Sequence, residues 1–591
     1  MKNLFARFRR SKIGAKLPKR FELNAVFSVF SKREWHIFIV LLVVLVISTL
    51  AILQNINQSF MTSVPMRGGE ISEGIVGAPR FINPVLAFSD ADRDLVALIY
   101  SGLMRKAGDG TLVPDLAEKY EMSSDGLSYV FTLKDNIVFH DDTPLTVDDI
   151  IFTINTAKDP ILKSPRKTAW DGILAEKIDE QTIRFSLKQP YASFLENSTL
   201  GILPSHIWGN SPVELNDANT DPVGSGPYRV SSSVKQSSGV IDSIELERFD
   251  KFVLGKPYIK NINLNFYTNE EGAKTALEEG GVDQVSSINP ANAEILKGKG
   301  YQVESSVLPR VFGLFFNQNQ NQIFIDKSII RAIDQAIDKE GIVQDVLSGY
   351  GVVIDDPIPP NMVEYQKLEG EVAKTSKTER LDAAREILTK NGWTVGASGF
   401  LEKTTTDSKK KKTTTILEFS ISTGNAPELA KSAELIKQDL NAIGMKVDVK
   451  TFEVGNLNQS VIRPRNYDAL LFGQIINHES DLYAFWHSSQ RNDPGFNVAM
   501  YTNAKVDKIL EDAFVTVDEQ QRIKKYIEFE NEIKKDMPAV FLYSPKFIYV
   551  VSKELQQLNM THIISPRDRF LNVYSWYVKM DNVWKIFAQN K

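Results

Sequence analysis

Apolar positions divide the chain into one unbroken run and a long region in which two periodicities alternate. From Trp35 to Met66 there is no Lys, Arg, Asp or Glu, and Ile37 to Leu53 is interrupted only by Ser48 and Thr49. About 17 to 20 apolar residues cross about 30 Å of hydrocarbon, so the run predicts a single transmembrane helix over 36–53. A buried globular helix of this length would carry a polar face, which the run lacks. The basic stretch before it, residues 1–35, is expected in the cytoplasm by the positive-inside rule, with everything after Leu53 on the extracytoplasmic side. A cleaved signal peptide is the competing reading. The long basic region, the length of the apolar run and the absence of an Ala-x-Ala site in Gln54 to Phe60 favour an uncleaved anchor. Residues 54–67 are polar, end before Gly68-Gly69, and are read as a tether.

Beyond residue 68 strand and helix signals alternate, which implies an α/β body. Tyr129 to Lys134 alternates after the turn pair Asp125-Gly126 and predicts a hairpin. Thr146 with Asp149 reads as a capping box before Val147, Ile150, Ile151 and Ile154, which share a helix face. Ala426 to Ile443 is amphipathic, Gly444 suits a helix stop, and Met445 to Lys450 alternates as a strand. The same order recurs from Leu381 to Trp393. Lys403 to Thr415, with two Thr triplets around a lysine run, lies between two strand-like segments and is read as a solvated hairpin tip.

With 591 residues, the chain is several times an ordinary domain, and at least two lobes are expected. A hydrophobic share of 42% and a charged share of 24% are globular values. The net charge of −5 hides an asymmetry, because residues 1–35 hold ten Lys/Arg against two Glu. The remainder has 59 basic and 72 acidic residues, net −13, which argues against nucleic acid as a partner. No cysteine occurs, so disulfides, thiol nucleophiles and thiolate metal sites are excluded. The six histidines (His36, His140, His206, His478, His487 and His562) include no His-x-x-x-His pair. Gly224-Ser225-Gly226 is not a nucleophile elbow, and no phosphate loop is present. Asp141, Asp142, Asp148 and Asp149 read as caps and solvated carboxylates. No catalytic constellation, metal site or cofactor is expected.

The segment Phe139-His140-Asp141-Asp142-Thr143-Pro144-Leu145-Thr146 resembles the signature of the family 5 extracellular solute-binding proteins, the oligopeptide, dipeptide and nickel receptors of ABC importers. Asp142 stands where that family usually has Gly. Further matches follow in the family's order: Pro114 to Glu118, Gly224 to Tyr228, Gly281 to Asp283, Arg331 to Lys339, Gly349 to Gly351, Pro357 to Pro359, and Tyr501 to Asp507. The resemblance covers about residues 68–580. It implies a two-lobed fold of periplasmic-binding-protein type II with an extra subdomain in the first lobe, preceded by the N-terminal transmembrane helix. The expected boundaries are 68–308 for lobe 1 with the subdomain at about 106–203, 309–545 for lobe 2, and 546–591 for the return to lobe 1. It further implies a monomeric, membrane-tethered, non-enzymatic receptor that takes a peptide or similar small ligand between its lobes and passes it to ABC permease subunits.

The resemblance also implies ligand contacts. The backbone of Gly473 and Ile475 is expected to pair with an extended peptide, Phe88 and Ser89 to form the first-lobe wall, and Trp486, with Tyr483 and Phe485, to face them; Asn497 is a further candidate. Where the family has Gly-Trp and then an Asp for the peptide ammonium, this chain has Gln474 and Asn477. An Asn has an acceptor oxygen but no charge. Either Glu479 or Asp481 supplies the charge, or the ligand presents a neutral group; Gln474 in place of Trp favours the second. The rival readings are a receptor for a metal chelate or saccharide, a tethered surface hydrolase, and a chaperone or sensor that serves no importer. From the solvated hairpin, replacement of residues 404–414 by a short Gly-containing turn is expected to leave peptide affinity within tenfold, about 1.4 kcal/mol, as read by titration calorimetry.

Overall fold

The computed structural model describes residues 31–360, 362, 376–406 and 411–588, in two compact units. The basic segment 1–30 and the tip of the Lys/Thr hairpin, 407–410, lie outside the described residues. In the first unit Ser31 caps a helix, Lys32–Phe60, that buries no residue and is long and apolar enough to cross a membrane. The helix runs past the expected end at Leu53 because no Gly or Pro interrupts it before Pro65. The expected tether is also not a loose chain. Met61–Met66 is a strand paired with Lys579–Trp584, Ser63 Oγ donates to Asn582 Oδ1 at 2.7 Å, and Trp584 Nε1 donates to Asn57 Oδ1 at 2.8 Å. A partner more than 500 residues away in sequence leaves no local signal.

The second unit, Met66–Lys579, is built on strands β1 (Glu70–Val76), β2 (Gln284–Ser286), β3 (Gln302–Val307), β4 (Arg310–Phe316), β5 (Glu418–Gly424), β6 (Ala469–Ile475) and β7 (Ala539–Val551). β7 belongs to both lobes. Its first half pairs antiparallel with β4, and its second half with β3 and β2. From β2 the first-lobe sheet continues through β1 to Asn261–Tyr267, both pairings parallel. From β4 the second-lobe sheet continues antiparallel to β6 and then parallel to β5 and Lys446–Phe452.

The second lobe has three layers, which strand alternation makes possible. Leu314 and Phe316 of β4 enter one core, with the helices Lys327–Ala336 and Pro427–Ala442; Val311 and Phe315 enter the other, with Ala504–Val515 and Glu519–Asp536. In the first lobe an antiparallel four-stranded sheet is separate from the main one, with Ala117–Met122 and Ser128–Leu133 forming its hairpin. Its core is continuous with the lobe's: Phe131, Phe185 and Ile150 share one cluster with Ile71 and Leu95. Thr146 caps Val147–Lys158 as the sequence predicts, through a reciprocal box with Asp149. The Lys/Thr segment is a hairpin, Leu401–Thr406 against Lys412–Ile416.

The signature His140 explains why two of its motifs occur together. His140 is 6% exposed, and its ring lies between two glycine backbones. Nδ1 accepts from the Gly224 amide at 3.2 Å, and Nε2 donates to the Gly226 carbonyl at 3.1 Å. A Cβ on Gly224 or Gly226 would meet Ile99 backbone atoms at 2.1 or 2.5 Å, so only glycine allows that loop against the helix end. Asp142, where Gly is usual, adopts φ 69°, a left-handed conformation that Asp tolerates better than most residues. Burial lowers the His140 pKa from 6.5 to about 4. Between those values the unfolded chain binds the proton more readily, so stability is retained above 6.5 and lost as pH falls toward 4, by about 3 kcal/mol in full. Urea denaturation across this range is expected to show that loss, and His140→Asn to flatten it; an unaltered slope in the variant would refute the assignment.

Candidate functional site

The strand β6 offers an unpaired edge at its C-terminal end. In an antiparallel pair, successive residues turn their backbone groups alternately toward and away from the partner. The Ile476 amide donates to the Pro309 carbonyl at 3.0 Å, toward the β4 side, whereas the Leu471 carbonyl accepts from Thr423 Oγ1 at 2.9 Å, toward β5. Gly473 and Ile475 therefore face the β5 side. The β5 pairing stops at Leu470 and β5 ends at Gly424, so their backbone groups have no neighbouring strand among the described residues. Gly473 also leaves room for Phe312, whose ring would lie 2.6 Å from a Cβ at that position and stacks on Tyr543.

The remaining expected contacts divide into two groups. Phe88 is 75% exposed, and Ser89 Oγ accepts from the Asp92 amide, which sets the start of helix α1 (Asp90–Ile99). Asp90, the next residue, is close enough to Arg310 of β4 to act on its charge, and Arg310 is in register with Ile475. The start of α1 and the end of β6 are thus neighbours. Asn477 is exposed beside them, and the Gln474 side chain is buried with Oε1 unbonded.

Three expected contacts are corrected. Trp486 is fully buried in the second-lobe core against Phe315, Tyr501, Phe529 and Phe541, so it supports the fold and does not line the cleft. Asn497 is also buried. Its Nδ2 donates to the carbonyls of Trp486, His487 and Tyr501, and its Oδ1 accepts from the Tyr501 amide, so both polar atoms are engaged inside the core. Glu479 is committed to Arg522 at 2.6 Å. Asp481 uses Oδ2 to accept the amides of Asn477 and His478, and burial pushes its carboxyl above the usual range.

The family model for bacterial extracellular solute-binding proteins, family 5, matches residues 111–495, more than half of the chain. The chain belongs to this family. It is 27% identical over 526 residues to the oligopeptide-binding protein AppA of Bacillus subtilis, covering 87% of this chain and 92% of that protein. The structure of that AppA in complex with a nonapeptide superposes with a TM-score of 0.63 at 26% identity, over 87% of this chain and 100% of the other. NikZ from Campylobacter jejuni in complex with Ni(L-His) gives 0.66 at 25% identity, over 86% and 99%. The fold of this family member is the two-lobed type II periplasmic-binding architecture, with an apolar helix ahead of it.

The lobes touch around the β6 edge. Tyr191 stacks on Phe514 with ring centroids 5.2 Å apart, the Ala192 amide donates to the Phe514 carbonyl, and His478 contacts Glu196. A group of cations gathers there that sequence reading missed. Arg166 lies within electrostatic reach of Arg567 and Arg93, and burial and these neighbours lower its pKa to about 10. Burial also lowers Lys106, which is 3.9 Å from Glu196. Burial, then Lys106, Arg166 and Arg567, hold His478 at about 3, a neutral ring. These residues are scattered from 93 to 567, and no local pattern links them.

From the corrected roles, Asn497→Ala is expected to cost about 2 to 4 kcal/mol of stability in urea denaturation, because it leaves several buried backbone groups unsatisfied. Glu479→Gln is expected to cost about 1 to 3 kcal/mol by weakening the Arg522 pair while leaving the preference between free and acetylated peptides unchanged. Selective loss of free-amine binding in Glu479→Gln would restore Glu479 to the ligand site.

Proposed function

We propose that this family 5 protein is the capture component of an ABC importer, binding peptides between its lobes and delivering them to a membrane permease. The observation that carries the reading is the unpaired Gly473 and Ile475 edge inside a contact zone between two lobes joined by crossing strands. An extended peptide adds to such an edge through main-chain hydrogen bonds, which recognise no particular side chain. The crossings at Pro309 and Pro545 suit hinge motion, since neither residue has an amide hydrogen to tie the lobes together. The likeness to the nonapeptide-binding AppA supports a peptide as the ligand. The helix Lys32–Phe60 serves as an uncleaved anchor, with the body on the extracytoplasmic face. Binding and release perform the task, and no bond in the ligand is broken.

A chelate is the second reading, favoured by Asn477, which lacks the charge an ammonium group would need, and by the likeness to NikZ with Ni(L-His). Mass spectrometry of the ligand released on denaturing the purified full chain, followed by calorimetry with peptide pools, separates the readings. Peptides are expected in the released fraction, binding one per chain and recovered intact. Release of a metal complex with no peptide affinity would overturn the peptide assignment, and recovery of cleaved peptides would overturn the non-catalytic role.

A further inference from the structure

We infer that the segment around Trp584 and Ile586 is a second membrane contact, lying in the outer interfacial layer of the lipid bilayer against the last turns of the helix Lys32–Phe60. The inference rests on the anchor reading above and extends it to residues more than 500 positions away in sequence.

Tryptophan, with an apolar ring and one polar N–H, concentrates at both faces of a bilayer. The helix carries one at a single end. Trp35 stands just ahead of the apolar run Ile37 to Leu53, and no Trp or Tyr occurs between Leu53 and Arg67. At that end the ring is supplied by Trp584, whose Nε1 donates to Asn57 Oδ1 at 2.8 Å. Asn57 follows Trp35 by 22 residues, about 33 Å along a helix, against about 30 Å of hydrocarbon. It lies about 6 Å beyond Leu53, within the layer of about 5 to 8 Å that headgroups add on each side. The next residue, Lys585, caps the same helix end, since its Nζ donates to the Ser59 carbonyl at 3.2 Å. That carbonyl is among the four that a helix end leaves without an intrahelical partner, and the last turn has no basic residue of its own.

What these bonds leave outward is apolar. Trp584 remains 49% exposed and Ile586 66%, while the polar atom of the indole is spent on the helix. On the helix itself Ile56 and Phe60 are exposed and, four residues apart, share a face. Apolar surface thus continues past Leu53 on both the helix and the segment bonded to it. A lipid interface suits such a surface, because it takes up ring and aliphatic groups on one side and the polar atoms of Trp and Lys on the other. The match in depth between Asn57 and the headgroup layer is what selects lipid over a protein partner.

The test uses the full chain in phosphatidylcholine vesicles. Because the chain has no cysteine, a single one can be introduced as Ile586→Cys or, in the apolar run, as Ile47→Cys, and labelled with an environment-sensitive fluorophore. The label at 586 is expected to be quenched at least about twofold more by a lipid nitroxide at the headgroup than by one at the acyl-chain end, as for a group about 5 to 10 Å into the boundary. The label at 47 is expected to show the reverse order. Added to Ile586→Cys, Trp584→Ser is expected to cut headgroup quenching at least about twofold, and Trp584→Phe, which keeps an apolar ring, to retain most of it. Trp584→Ser is expected to leave the label at 47 unchanged. A label at 586 that iodide reaches and neither lipid quenches, with 47 quenched normally, would overturn this contact and leave the anchor standing. Shielding of 586 from iodide and lipid alike would mean a second copy of the chain covers it, and would also overturn the contact, as would quenching that Trp584→Ser does not alter. A label at 47 that lipid does not quench, or that is lost by cleavage from the purified chain, would overturn the anchor reading and this inference with it.

Discussion

One strand constrains both lobes. β7 contributes Ala539 and Phe541 to one core of the second lobe and Val540, Leu542 and Tyr543 to the other, then Ile548 and Val550 to a cluster in the first. A shift of one residue would turn each of these side chains to the wrong face, so the register of β7 fixes both lobes at once. Between the halves, Ser544 Oγ donates to the Arg310 carbonyl at 2.6 Å, and the Leu308 amide donates to the Pro545 carbonyl at 2.9 Å. Arg310 is thereby tied to the crossing itself.

A buried ionic network locks the first-lobe end of β7. Arg569 is fully buried between Asp94, at 2.5 Å, and Glu73, at 2.7 Å, and Tyr549 of β7 donates to Glu73 at 2.8 Å. Gln284 of β2 reaches the same carboxylate at 3.2 Å. Burial of three charges offsets much of their mutual attraction, so their main effect is on arrangement: removing Arg569 leaves two buried carboxylates unpaired. The network joins β1, α1, β2, β7 and the chain's return in one geometry. Arg567, two residues before Arg569, lies within electrostatic reach of Arg166 from a segment held by this network.

Much of the fold was legible because its signals are local or ordered along the chain. The capping box at Thr146, the helix over Pro427–Ala442 and the His140 signature each depend on residues close in sequence, and the order of family motifs supplied the two-lobed plan. The same resemblance singled out Gly473 and Ile475, which the structure places at the end of β6 beyond the β5 pairing. Trp486 and Asn497 were misread because an aromatic or an amide near a site has the same sequence signature whether it faces the ligand or the core behind it. Glu479 was misread because Arg522 lies on another helix, and the paired neck at Met61–Met66 because its partner is close to the other end of the chain. Arg93, Lys106, Arg166 and Arg567 share no spacing, and only the fold gathers them.

This arrangement separates encounter from selection. The body beyond the basic segment carries a net charge of −13, so its long-range field repels anions, while the contact zone between the lobes is basic. At physiological ionic strength the field of an exposed surface fades within about 8 Å, whereas charges in a closed, water-poor cleft are screened far less. The cations beside His478 therefore act mainly on what lies inside the contact zone itself. Differential affinity for one conformation is what drives a domain closure, and a ligand that touches both the β6 edge and the facing lobe would provide it without any change in the cores.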